Sequence, residues 1–271
     1  MADEEQLHSV RVLACGAVGH LFVTEHEATP GAWRVVCVHG SLDRSAAFAR
    51  TGRLLADFHV VRYDRRGYGR SLAVGPSDRF DDQVADLAEI VGERPSVLVG
   101  HSLGGVVALA FAQRQPSLAL AVVAYEAPMP WDASWPAATA GGAAMSAEVD
   151  PADAAERFMR RMIGDERWEA LPVGTREQRR AEGPALVAEL RAVRAPSPAP
   201  YEAEALVIPV VAAHGTQSAP HHQAAARRLA ERAPKGELHT VEGAGHGVTL
   251  THPGALAGLT RRAVALIEPP G

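Results

Sequence analysis

Short unbroken apolar runs alternate along the chain with stretches in which apolar residues recur every three to four positions. The runs Val10–Ala14, His20–Val23, Val35–Val38, Val60–Tyr63, Val97–Val99, Ala119–Ala124, Val207–Ala213 and Glu237–Val241 read as strands. Several are nearly continuous in Val, Leu and Ala, the composition of strands covered on both faces. Between them, Ser45–Ala56, Arg79–Val91, Leu103–Arg114, His221–Ala233 and Pro253–Ile267 carry helical periodicity. The last opens on a proline, whose missing N–H costs nothing in a first turn. Strand–helix alternation of this kind predicts an α/β protein with a mostly parallel sheet and helices on both sides.

The rhythm breaks between Pro128 and Pro200. Pro128, Pro130 and Pro136 open the region, the small-residue stretch Ala137–Ala144 follows, and two helical patterns, Ala152–Ile163 and Thr175–Val193, come next. Ala195-Pro196-Ser197-Pro198-Ala199-Pro200 then reads as a stiff extended linker. The expected organisation is a core built from residues 1–127 and 201–271, with residues 128–200 inserted as a small helical cap. No internal repeat is visible.

Composition narrows the class of protein. With 271 residues, 47% hydrophobic and 22% charged, the chain matches an ordinary globular protein. No apolar run approaches the roughly 20 residues of a membrane-spanning helix. The acidic start, Met1-Ala2-Asp3-Glu4-Glu5, reverses the basic start of a signal peptide. Cys15 and Cys37, the only cysteines, lie in strand-like surroundings, so reduced thiols and a cytoplasmic location are expected. A net charge of −5 argues against nucleic-acid or anionic-membrane partners and leaves a small molecule. Oligomeric state is not readable.

The chemistry centres on Gly100-His101-Ser102-Leu103-Gly104. A Gly-x-Ser-x-Gly string is weak alone, but here it joins the predicted strand Val97–Val99 directly to the predicted helix Leu103–Arg114. So tight a turn strains its central residue and requires small neighbours, and it lifts the serine oxygen above the sheet at a helix N-terminus. His39-Gly40 follows one strand, Asp64-Arg65-Arg66-Gly67-Tyr68-Gly69-Arg70-Ser71 the next, and Gly243-Ala244-Gly245-His246 lies near the end. On these four motifs, in order and over nearly the whole length, the chain resembles the α/β-hydrolase superfamily. The resemblance implies an eight-stranded, mostly parallel sheet flanked by helices, with the cap after the sixth strand.

A serine hydroxyl needs a neighbouring base. His246 follows a strand through a glycine-rich turn that lets its ring fold back, and it occupies the base position that the resemblance implies. His39 and His101 are expected to pack beside the site. His214, His221 and His222 lack companion ligands at metal spacing and read as surface or helix-start residues, so no metal and no cofactor are expected. By resemblance, the oxyanion is held by the Leu103 amide and by a second amide after His39-Gly40, Ser41 before Leu42. The Asp64–Ser71 motif is read as structural.

One element departs from the family pattern. Most relatives place the triad acid in a Gly-x-x-Asp turn after the seventh strand, and here that turn is Gly215-Thr216-Gln217-Ser218. Glu126, ending the neighbouring strand in Ala124-Tyr125-Glu126, is the favoured replacement, since some relatives take their acid from that strand. Asp132 and Glu242 are weaker alternatives. Ser102, His246 and Glu126 then form the expected triad, in the family's chain order.

The expected reaction is hydrolysis of a carboxylic ester, thioester or lactone of a small to medium, largely apolar substrate through an acyl-enzyme on Ser102. Trp131 and Trp135, with His101 and Leu42, are candidate pocket residues, whereas Phe158 and Met162 read as packing of a cap helix. Two rivals stand beside it: a ligand-binding or receptor protein on a hydrolase scaffold, idle because Ser218 replaces the acid, and a natural-product tailoring enzyme that uses the same groups for cyclisation, elimination or C–C cleavage.

Overall fold

The computed structural model describes residues 21–145, 150–194 and 199–267. Seven strands form one sheet among these residues: β1 (Val23–His26), β2 (Arg34–Val38), β3 (His59–Tyr63), β4 (Ser96–His101), β5 (Ala119–Tyr125), β6 (Val210–Gly215) and β7 (Gly236–Val241). Their spatial order is β1-β3-β2-β4-β5-β6-β7, with every pairing parallel except β1 with β3. The count is therefore seven rather than the eight expected, and the predicted strand Val10–Ala14 lies outside the described residues, as does Cys15. Of the run His20–Val23, His20 lies outside the described residues, Leu21 and Phe22 precede the strand, and Val23 opens a strand that continues to His26. The run Val207–Ala213 starts late, at Val210, because Pro209 has no N–H for a ladder.

Side-chain alternation splits the core into two layers. Val36 and Val38 of β2 face the layer shared with α2 (Phe80–Val91), α3 (Leu103–Arg114) and α9 (Pro220–Arg232). Val35 and Cys37 face the layer shared with α1 (Ala49–Leu54) and α11 (Pro253–Ala265). Strands buried on both faces need apolar residues at every position, and β2, β4 and most of β5 are buried throughout. Cys37 is a free thiol, and burial pushes it up to about 12.

Between β5 and β6 lie α4 (Ala140–Ala144), α5 (Pro151–Ile163), α6 (Asp165–Glu169), α7 (Val173–Ala181) and α8 (Gly183–Arg194). The predicted single helix Thr175–Val193 is thus two. The break falls at Glu182, because Pro184 in the first turn of α8 has no N–H with which to bond the Arg180 carbonyl and carry α7 through. A Cβ on Gly183 would also sit 2.0 Å from the Pro151 carbonyl oxygen, so close packing onto α5 requires glycine there. Residues 195–198 of the predicted linker lie outside the described residues.

Buried polar contacts hold these helices onto the sheet. Arg65 donates through Nε to the His39 carbonyl (2.8 Å) and through Nη1 to Glu189 of α8 (2.8 Å), while Tyr68 donates its hydroxyl to the same glutamate (2.6 Å). Asp64 accepts from the backbone N–H groups of Ser45 and Arg70. The Asp64–Ser71 motif therefore clamps loops at the carboxyl ends of the strands and anchors the helices above them.

Candidate active site

β4 runs into α3 through Ser102, which has φ 53° and ψ −128°. That conformation is costly for a residue with a Cβ, and its presence at a strand–helix junction points to a functional constraint. The surrounding backbone is packed to match. A Cβ on Gly104 would lie 2.1 Å from the Val38 carbonyl oxygen, and one on Gly40 would lie 2.9 Å from the Ser102 Cβ. Glycines at these two points let the start of α3 and the loop after β2 close on the serine. The amides of Ser41 and Leu103 have no acceptor among the described residues, and both residues line the cavity that holds Ser102.

That cavity, of about 400 Å³, lies between the strand ends and helices α4, α5 and α8, and it is also lined by Ser102 and His246. Behind His246 stands Glu126, the residue after β5. It too has positive φ, 51°, which turns its side chain back under the histidine. His246 donates through Nδ1 to Glu126 Oε2 at 2.6 Å. The other carboxylate oxygen accepts from the Ser218 hydroxyl and from the Gly215 N–H at 3.3 Å. Both oxygens of a fully buried carboxylate are thereby satisfied. Burial pushes the Glu126 carboxyl up, but the hydrogen bond and charge of His246, with smaller contributions from His222 and Ser218, bring it down from 4.5 to about 2.

A depressed carboxyl contributes stability above its unfolded value, near 4.5, and that contribution disappears as pH falls toward 2. Acid unfolding followed by circular dichroism should therefore lose stability less steeply between pH 4.5 and 2 in Glu126→Gln than in the unsubstituted protein.

The base is held by its neighbours. His101 Nε2 donates to the His246 carbonyl (2.7 Å), and Tyr125 donates to the Gly245 carbonyl (3.0 Å). The His246 ring has a tilted His101 ring at 4.8 Å and a stacked His222 ring at 4.6 Å. Burial, reinforced by the charge of His246, lowers His101 to about 3 and His222 to about 2. Both neighbouring rings are thus neutral at ordinary pH, so an imidazolium formed at His246 meets no like charge from them. Glu126, His222 and His246 each offer a metal-ligand atom within 4.8 Å of the others. Within this set His246 Nδ1 already donates to the Glu126 carboxylate, the contact that orients a base.

Several expected positions lie elsewhere. His221 and His222 do start α9, but they line the cavity instead of facing outward. His214 is buried in β6, with Nε2 3.4 Å from the Thr240 hydroxyl. Trp135 lines the cavity, whereas Trp131 packs edge-on against Tyr201 at 5.5 Å and is not part of the wall. His101 sits behind the base. Leu42, with φ 50°, is buried in the apolar cluster that contains Tyr68 and Leu186. Phe158 and Met162, expected as helix packing, line the cavity, as do Arg161 and Arg194, which the sequence reading did not single out. Asp132 is paired with Arg228, and Glu242 accepts from Thr216 at the exposed rim (3.4 Å). No helix among the described residues is long and apolar enough to cross a membrane.

Comparison with known proteins agrees with this fold. A lipase, LipV, of Mycobacterium tuberculosis is 32% identical over 107 residues, covering 38% of this chain and 41% of the lipase. A pimeloyl-[acyl-carrier protein] methyl ester esterase of Chromobacterium violaceum is 40% identical over 110 residues, covering 39% of this chain and 42% of the esterase. The chain thus matches about two fifths of the length of these relatives. Among solved structures, the enol-lactonase of Burkholderia xenovorans LB400 superposes with a TM-score of 0.70 at 20% identity, covering 92% of this chain and 99% of the lactonase. Residues 35–259 match the alpha/beta hydrolase family as a whole, and the chain belongs to that family.

Proposed function

We propose that the protein is a serine hydrolase that cleaves carboxylic esters through an acyl-enzyme on Ser102, with residues 128–200 acting as the cap that roofs a small-molecule substrate. The observation that carries this reading is the Glu126–His246 hydrogen bond in the wall of the cavity that Ser102 enters from a strained turn. In this mechanism His246 accepts the Ser102 proton as Oγ attacks the ester carbonyl carbon. The amides of Leu103 and Ser41 hold the resulting oxyanion, and His246 returns the proton to the departing alcohol. Water then attacks the acyl carbon by the same route, releasing the acid and restoring the Ser102 hydroxyl. Glu126 keeps the imidazole in the tautomer that presents Nε2 to the serine. Trp135, Phe158, Met162, Leu190 and Val193 make the wall largely apolar, which suits a small to medium acyl or alcohol group. A cytoplasmic location belongs to the same reading and rests on the cysteine usage.

The binding-protein alternative drew its force from the empty acid position at Ser218. A carboxylate already hydrogen-bonded to His246 favours the hydrolase instead. In stopped-flow mixing with p-nitrophenyl butyrate, a burst of p-nitrophenol equal to the enzyme concentration is expected, with an acyl mass shift on the Ser102 peptide. Absence of turnover and of adduct from acetate through octanoate would overturn the hydrolase reading.

A further inference from the structure

The helices over the cavity are rich in arginine, and four of these residues are paired with carboxylates. Arg160 is bound by Glu156, Asp165 and Glu169, Arg176 by Glu169, Arg179 by Glu182, and Arg180 by Asp153 and Glu156. Arg161 and Arg194 differ. Both line the cavity that holds Ser102 and His246, and neither has a carboxylate or other acceptor among the described residues. Arg194 is half-buried, and its Nη2 lies 4.0 Å from where a Cβ on the wall residue Gly141 would be. The described wall contains no Asp or Glu. Glu126, just behind it, is fully engaged by His246, Ser218 and Gly215.

The chain carries a net charge of −5, so an uncompensated positive cavity is not a consequence of its composition. Arg161 lies in the last turn of α5 and Arg194 ends α8. Helix C-termini favour cations, which accounts for a basic residue at each position. It does not account for both reaching one cavity with no counter-charge among the described residues: Arg161 is exposed, but taking the half-buried Arg194 guanidinium partly out of water without an anion is unfavourable. The missing partner is then supplied by the ligand.

We propose that Arg161 and Arg194 form an anion subsite, and that the substrate is an ester bearing a carboxylate beyond an apolar segment. The proposal rests on the hydrolase reading above. A guanidinium presents paired N–H donors that match a carboxylate, and the apolar wall accommodates the methylenes between that group and the ester.

Two matched pairs of substrates test this and locate the charge. Mono-(4-nitrophenyl) adipate against 4-nitrophenyl hexanoate places it on the acyl side. 4-Acetoxybutanoate against butyl acetate places it on the alcohol side. In one pair, kcat/KM should favour the anionic ester by about 10- to 100-fold, carried by KM and reduced in about 0.5 M NaCl. The ratio should fall toward one in Arg161→Gln/Arg194→Gln and be partly retained in Arg194→Lys. A ratio near one in both pairs for the unsubstituted protein, or a preference that survives the double substitution, would overturn the subsite while leaving the hydrolase reading intact. If no ester is turned over, the hydrolase reading fails and the subsite is judged by calorimetry with adipate alone. Binding at least tenfold tighter than to the double variant then supports it, and equal binding overturns it.

Discussion

Ser102→Ala is expected to lower kcat for p-nitrophenyl butyrate by about 10⁴–10⁶ with little change in KM or melting temperature. The hydroxyl is the only atom removed, and the backbone that presents it is set by contacts the substitution does not touch. Ser102 N donates to the Tyr125 carbonyl at 2.9 Å, and Gly105 N donates to the Ser102 carbonyl at 2.8 Å. Ser102→Gly separates position from chemistry. At φ 53° and ψ −128° a glycine avoids the clash that a Cβ makes with its own backbone, a relief of about 1 kcal/mol. That variant should be as inactive as Ser102→Ala yet melt about 2–4 °C higher. Thermal unfolding beside initial rates distinguishes the two effects. A Ser102→Ala protein that keeps more than about a hundredth of the unsubstituted kcat would remove Ser102 from the role of nucleophile.

The parts of this arrangement that were legible in the sequence are those fixed by local rules. The continuous apolar runs end at Val99 and Ala124, within two residues of the strand ends at His101 and Tyr125. The helix start at Leu103 follows from the helical pattern after the first run, and the glycines around Ser102 announce a turn no larger residue fits. Glu126 was legible by a different route: the empty position at Ser218 forced a search of the neighbouring strand end. What escaped is what depends on the third dimension. His221 and His222 sit more than 20 positions before His246 in the chain, and a helix start looks the same whether its first turn faces water or a cavity. Their signal was available, since α9 begins just past the end of β6, on the edge of the sheet where the other site residues gather. Trp131 and Trp135 are one helical turn apart and were grouped together, yet they go to Tyr201 and to the cavity respectively. Arg161 and Arg194 resemble their neighbours in composition, and only the fold reveals that these two line the cavity without a carboxylate partner among the described residues.

Glu126→Gln is expected to lower kcat by about 10²–10⁴ while leaving the fold in place. A carboxylate accepts only, so His246 must present Nδ1–H to it and keep Nε2 free for the serine proton. A glutamine amide also donates, which stabilises the opposite tautomer, and it offers no charge to the imidazolium. Ser218 makes the acid's location testable by moving it. Its hydroxyl touches Glu126 Oε1, while Oε2 holds His246, so the side chain at 218 already reaches the edge of the acid–base pair. Ser218→Asp alone sets two carboxylates against each other, which raises the pKa of one of them and disturbs the hydrogen bond to His246, so kcat should fall. Glu126→Gln/Ser218→Asp removes that conflict and returns the charge to the turn after β6. It should exceed Glu126→Gln in kcat by at least about tenfold, as two interacting positions depart from additivity. If Glu126→Gln is as active as the unsubstituted enzyme, the acid lies elsewhere. Asp132 is an improbable substitute because Arg228 already holds its carboxylate, and Glu242 would have to leave the exposed rim. If instead Glu126→Gln is impaired and the double variant is no better, Glu126 stands as the acid and the turn after β6 is too short to replace it.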